Sequence, residues 1–183
     1  MGRFALPFAA TILTAGLVTQ AGATNVVSNP GFETGGLLPW VQARDFNLNN
    51  GPHWSVTGTN PNSGSFAATA GDDYELRQDF PGVWTPDISS VTFSAVTPAM
   101  AFDLFYSGGG DDEFFVIGDG TSWQSYNVTS DLRPGSNLVA ISFFGNSAAT
   151  VLLDDVAINA PEPTSLALLG FSMAGLGFIR RRR

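Results

Sequence analysis

The chain has no cysteine, no lysine, a single histidine, His53, and only eight arginines against sixteen acids. Without cysteine there is no disulfide framework, no thiolate metal centre, no cysteine nucleophile and no thioether-linked lipid. Four of the eight arginines are the last four residues, Arg180 to Arg183, and the formal charge is -8. That balance excludes a nucleic-acid binder, which needs a basic face to displace counterions from phosphates. Also missing are a Gly-x-Ser-x-Gly elbow, a His-Glu-x-x-His helix and a phosphate-cradling glycine loop. His53, beside Trp54, reads as a packing residue rather than a base. Two carboxyls about 5 to 9.5 Å apart could hydrolyse a glycoside, but in so acidic a chain a pair of acids is no signal. A non-catalytic protein is expected, with no catalytic residue assigned and a glycoside hydrolase-like activity as the remote alternative.

Both ends carry processing signals. Arg3 precedes an apolar run from Phe4 to Val18, and Ala21-Gly22-Ala23 places small residues at alternate positions. This predicts a signal peptide over residues 1–23, cut by signal peptidase after Ala23; the alternative is an uncleaved anchor. At the other end Pro161-Glu162-Pro163 is followed by an uncharged stretch from Thr164 to Ile179 and then Arg180, Arg181, Arg182 and Arg183. As a helix at about 1.5 Å per residue, that stretch falls somewhat short of the roughly 30 Å hydrocarbon core, and spans it if the bilayer thins. The arginines would stay in the cytoplasm and leave the preceding domain outside.

The three-part tail resembles the PEP-CTERM sorting signal of Gram-negative bacteria that make extracellular polysaccharide. The resemblance rests on Pro161, Glu162 and Pro163, the glycine-containing apolar segment and the arginine terminus, and covers residues 161–183. It implies recognition and removal of the tail by an exosortase-type membrane transpeptidase. The product would be secreted or held at the cell surface, in polysaccharide or biofilm matrix, after transient anchoring in the inner membrane. Contact with the membrane would run only through the tail.

Residues 24–160 remain as the working domain. Its clearer strands are Val91 to Val96, Ala101 to Tyr106, Glu113 to Ile117, Asn137 to Phe144 and Val151 to Ile158. Turn chemistry separates them at residues 60–64, 108–112, 118–120, 133–135 and 145–146. Eight to ten short strands predict an all-β, antiparallel β-sandwich. Most aromatic residues, including Phe93, Phe102, Phe115 and Phe143, are expected between the sheets.

Asn25 to Glu33, Trp40, Gly64 to Ala68, Leu76 to Phe80 and Leu152 to Ile158 stand in the order of landmarks of a second family. They resemble carbohydrate-binding modules with the galactose-binding-like jelly roll; residues 85–132 carry no landmark. Period-two alternation puts Leu152, Asp154, Val156 and Ile158 on one face of the last strand. A carboxylate among core residues needs a partner, and few arginines are available. Ca2+, which takes six to eight oxygens at about 2.3 to 2.6 Å, is one partner, with Glu33 and Asp154 as side-chain ligands and carbonyls of the Asn29-Pro30-Gly31 turn. Similar modules hold a structural calcium at this junction. The alternative is that both carboxylates cap backbone N–H groups. Asp72-Asp73 and Asp111-Asp112-Glu113 read as exposed turns, and neither matches a twelve-residue calcium loop.

Trp84, Trp123 and Tyr126 sit beside loop-like sequence and are candidates to stack on the apolar faces of sugars; burial is the competing reading. The expected partner is extracellular polysaccharide. A structural or adhesive matrix protein without a specific glycan is the alternative.

Overall fold

The structure, a computed structural model, describes residues 23–45, 54–71, 73–145 and 148–161. Residues 1–22 of the predicted signal peptide, Ala21 among them, the tail from Glu162 and Pro163 through Arg180 to Arg183, and also His53, Asp72 and Asn146, lie outside the described residues.

Among the described residues, eleven strands form two antiparallel sheets. They are β1 (Ala23–Asn25), β2 (Val41–Asp45), β3 (Trp54–Thr57), β4 (Ala67–Ala70), β5 (Tyr74–Trp84), β6 (Ser90–Val96), β7 (Ala99–Tyr106), β8 (Asp111–Ile117), β9 (Gln124–Asn127), β10 (Asn137–Phe144) and β11 (Val151–Pro161). One sheet runs β3-β4-β11-β6-β9, with β1 also pairing β11; the other runs β2-β5-β10-β7-β8. Two single 3-10 turns, Thr85–Asp87 and Thr129–Asp131, carry the chain between the sheets.

The inner faces meet through aromatic contacts. Phe93 of β6 packs edge-on against Phe102 of β7 and Phe143 of β10, with ring centroids 5.5 and 4.9 Å apart. Alternation supplies the rest of this layer: Met100, Leu104 and Tyr106 of β7, and Val91 and Ala95 of β6, all point inward and are buried. Trp40 and Phe32 extend it beneath the opening segment, their rings 5.7 Å apart.

Three expectations need correction. Phe115 is not in the core. It is 69% exposed on β8, while Phe114 turns inward and stacks on Phe102 at 5.3 Å. Of two adjacent phenylalanines a strand can bury only one on a given face. Second, Asp111 and Asp112 belong to β8 rather than to the turn, which closes over Gly108, Gly109 and Gly110, all at positive φ. Third, Leu152 and Asp154 share a face with each other but not with Val156 and Ile158. Between Asp154 and Ala157 one extra residue is inserted opposite β6, and Asp155 takes φ 51. This bulge shifts the alternation, so Val151 and Leu153 before it, and Val156 and Ile158 after it, are the wholly buried apolar residues.

Candidate functional site

Two places on the sandwich carry more chemistry than packing requires. The first is the outer face of the five-stranded sheet. Val41, Arg77, Ser142, Asp103 and Glu113 stand opposite one another on its successive strands. A neighbouring row holds Asp79, Ala140, Phe105 and Asp111. These are the outward positions of strands whose alternate residues fill the core. A groove of about 560 Å³ opens on this face, lined by Asp73, Asp103, Asp111, Glu113, Phe115 and Phe144, with Ala99, Met100, Ala101 and Gly145 completing it. Phe115 presents its ring to solvent and Ile117 beside it is 79% exposed. Asp103 is buried to 4% exposure. Every charged side chain lining the groove among the described residues is a carboxylate.

Arg77 lies near the groove: its guanidinium sits 3.9 Å from the Phe105 ring centroid and pairs with Asp79 at 2.7 Å. Ser142 is wholly buried in the same row, and its hydroxyl finds no hydrogen-bond partner among the described residues. The face therefore offers flat apolar rings beside oxygen acceptors, the combination that grips a sugar by its C–H face and its hydroxyls.

The second place is the junction of the opening segment, the 58–66 loop and the β11 bulge. Glu33 accepts hydrogen bonds from the backbone N–H of Ser65 at 3.0 Å and of Phe66 at 3.1 Å. Asp154, with no exposed surface, accepts from the N–H groups of Asn62 at 2.9 Å and Ser63 at 3.1 Å through Oδ2, and of Asp155 at 2.8 Å through Oδ1. Asp155 takes the Asn62 side-chain amide at 2.7 Å and the Ser63 hydroxyl at 2.6 Å. Burial pushes the Asp154 carboxyl up from its ordinary range, against the pull of those N–H donors, and the neighbouring Asp155 charge adds to the rise. Arg77 and Arg133 are engaged elsewhere, with Asp79 and Asp112.

Two glycines make this convergence possible. A Cβ on Gly64 would lie 2.3 Å from Glu33 Oε1, and its φ is +58. A Cβ on Gly31 would stand 3.3 Å from Asp154 Oδ1 and 3.8 Å from Asp155 Oδ1. Gly64→Ala is therefore expected to expel the Glu33 carboxylate from the loop. The lost charge-assisted hydrogen bonds and the left-handed backbone together cost about 3 kcal/mol. Chemical denaturation of the variant checks this; an unchanged midpoint would contradict it.

Glu33 and Asp154 are thus brought to one loop, and each caps backbone N–H groups, the arrangement weighed against a metal in the sequence. Among the described residues, no three His, Cys, Asp or Glu side chains are grouped to hold a metal ion by themselves. The three aromatic candidates are not brought together. Trp84 is 44% exposed at the end of β5, near Gly135. Trp123 donates its indole N–H to the Asn60 carbonyl at 3.0 Å. Tyr126 stacks on Phe93 at 5.3 Å, partly buried against the core. The aromatics that do line the groove, Phe115 and Phe144, were not singled out for binding. The signal that could have found Phe115 was its alternation with Phe114 and Val116.

The comparisons with known proteins fall on two parts of the chain. Residues 159–183 match the PEP-CTERM protein-sorting motif, so the chain carries the sorting signal of an exported protein destined for secretion or the cell surface. The β-sandwich resembles carbohydrate-binding modules. A family 61 module solved in complex with β-1,4-galactotriose superposes with a TM-score of 0.54 at 22% identity, covering 76% of this chain and 99% of its own. A tandem of family 22 modules from Paenibacillus barcinonensis gives 0.51 at 13% identity, over 80% of this chain and 48% of its own. The enzymatically active domain of tailspike protein 4 from bacteriophage CBA120 gives 0.53 at 17% identity, over 75% of this chain and 21% of its own. At these identities the likeness establishes the fold, an all-β jelly-roll sandwich. Among curated proteins none matches the chain in sequence.

Proposed function

We propose that the domain is a non-catalytic glycan-binding module, exported and then displayed in the cell envelope or extracellular matrix. The observation that supports it is the groove on the outer face of the five-stranded sheet, where the exposed Phe115 ring stands beside Phe144, Asp103 and Glu113. A sugar ring laid on Phe115 would bury its C–H face, and the carboxylates would accept hydrogen bonds from its hydroxyls. An acidic groove disfavours uronate and sulfated polymers and suits neutral chains. Before release, the tail would anchor the domain in the inner membrane until an exosortase-type transpeptidase removes it, signal peptidase having cut after Ala23. Screening the exported domain on a glycan array, with and without a chelator, tests the reading. Retention of a neutral oligosaccharide supports it, and silence on every glycan would move the assignment to a structural matrix protein.

One feature favours a second reading. Asp103 and Glu113 face each other across β7 and β8 beside the groove, and a pair of acids is what glycoside hydrolysis uses. Release of reducing ends from a bound polysaccharide, abolished by Asp103→Asn, would establish it.

Calcium at the Glu33–Asp154 junction belongs to the same proposal. The donor set is all oxygen: Glu33 and Asp154 close on the same loop, Asp155 stands beside Asp154, Arg77 and Arg133 are paired elsewhere, and burial raises the Asp154 pKa. Glu33 and Asp154 would hold the ion, with carbonyls and water completing its shell. When bound it would supply charge neutralisation and rigidity. The sign of the pH dependence follows. A carboxyl whose pKa is raised by folding binds its proton more tightly in the native state, so the metal-free domain gains stability as pH falls from 7 toward the ordinary aspartate value near 4, and loses it as pH rises through the raised value. Thermal melting in chelator should show this rise on acidification, and Asp154→Asn should flatten it. At neutral pH Ca2+ should replace the proton and raise the melting temperature; no response to Ca2+ would remove the metal from the account.

A further inference from the structure

Both ends of the described domain leave it at the same place. β1 lies antiparallel to β11, with Ala23 opposite Pro161, Thr24 opposite Ala160 and Asn25 opposite Asn159. The Asn25 side chain splints the pair: its Nδ2 donates to the Val156 carbonyl and its Oδ1 accepts from the Ile158 N–H, each at 3.0 Å. Pro161, the first residue of the sorting tripeptide, is also the last residue of β11. No linker therefore separates the sandwich from the tripeptide, and the chain before Ala23 emerges beside it, about 4.8 Å away across the strand pair.

That end of the sandwich is built from the Thr85–Ser89 link, the Ser107–Gly110 turn and the 133–136 segment. Hydrogen bonds from Ser89 N–H to the Asn159 carbonyl at 2.8 Å, Thr85 N–H to the Ser136 carbonyl at 2.9 Å and Ser107 N–H to the Asn137 carbonyl at 2.9 Å hold these pieces together. The opposite end holds Gly145, bonded to the Tyr74 carbonyl at 3.1 Å, and the Thr97–Gly120 contact at 3.2 Å. The eleven residues of β11 separate the two ends by roughly 30 Å at about 3.3 Å per residue.

In the sequence the uncharged stretch begins at Thr164, three positions after Pro161. Three extended residues reach about 10 Å at most, less than the width of the sandwich. We infer that the Ser89 and Ser107 end is a membrane-facing surface, held against the lipid headgroups while the tail is anchored, and that the Asp73–Gly145 mouth of the groove faces away from the bilayer. The half-exposed Trp84 on that surface is an amphipathic ring of the kind that settles at headgroup depth. Asp87, Asp111 and Asp131 lie at the same end and favour zwitterionic over anionic lipid. The consequence is that the groove stays open to glycan before the tail is removed. The inference rests on the anchoring of the tail put forward above.

The absence of cysteine makes the test clean. Asp87→Cys, Ser107→Cys and Thr150→Cys, each in the chain from Thr24 to Arg183 and each carrying one fluorophore, are reconstituted in phosphatidylcholine vesicles with headgroup spin labels. Quenching several-fold stronger at positions 87 and 107 than at position 150 is the expected result. Equal quenching at all three, or stronger quenching at 150, in protein that floats with the vesicles overturns the orientation and leaves the anchor standing. Protein that fails to float overturns both.

Discussion

Replacing Phe115 with alanine should lower glycan affinity about 30-fold while leaving the melting temperature unchanged. The ring is mostly in solvent, so its removal opens no cavity and breaks no core contact. An aromatic anchor at the centre of a binding surface is worth about 2 kcal/mol when truncated, which converts to that factor. The neighbouring residue supplies the control. Phe114 stacks inward on Phe102, so Phe114→Ala should cost about 3 kcal/mol of stability through the cavity it leaves. Its effect on glycan binding in protein that remains folded should be small. Titration calorimetry and thermal melting of both variants separate the two roles. Loss of binding with Phe114→Ala alone would place the ligand elsewhere.

The largest effect on stability should come from Asp154. Alanine there removes the acceptor for three backbone N–H groups, those of Asn62, Ser63 and Asp155, at a position with no access to water. Unsatisfied buried donors cost about 1 to 3 kcal/mol each; with partial relaxation of the loop the total is about 4 kcal/mol, a fall of roughly 10 to 15 °C in melting temperature. Asp154→Asn keeps one acceptor oxygen and should cost less than half as much, while abolishing any Ca2+ response. Asp155→Ala, whose partners are exposed side chains, should cost about 1 kcal/mol. Equal losses for all three variants would show that the junction acts only as a generic loop contact.

How far the sequence discloses this molecule depends on the kind of signal. The sorting tail is legible because its chemistry is linear: a tripeptide, an apolar run and a basic end need no tertiary information. Strands such as Val91 to Val96 and Asn137 to Phe144 are legible because alternation and turn residues are local, and the latter coincides with β10. The bulge at Asp154 and Asp155 is not, because a single inserted residue changes which face is buried without changing composition. Glu33 and Asp154 could be named as neighbours from the order of landmarks, but not the loop they share, since the 58–66 segment closes on them only through Gly64. The groove was invisible for a third reason. It is assembled mainly from the outward positions of β7, β8 and β10, much of it within the stretch that carried no landmark, and a surface is defined by register between strands distant in sequence. The register sets Ala101 opposite Phe115 and Asp103 opposite Glu113. The conspicuous residues Trp84, Trp123 and Tyr126 drew attention because of their type and went to three different places.

The most direct test of glycan recognition on the outer face of the five-stranded sheet is amide chemical-shift mapping of the isotope-labelled domain against a neutral oligosaccharide selected on the array. Perturbations should cluster at Ala99, Ala101, Asp103, Glu113, Phe115 and Gly145, with little change around Trp123 or at the Asn62–Gly64 loop. Shifts confined to Trp84, Trp123 or Tyr126, or no shifts with any glycan at millimolar concentration, would contradict it.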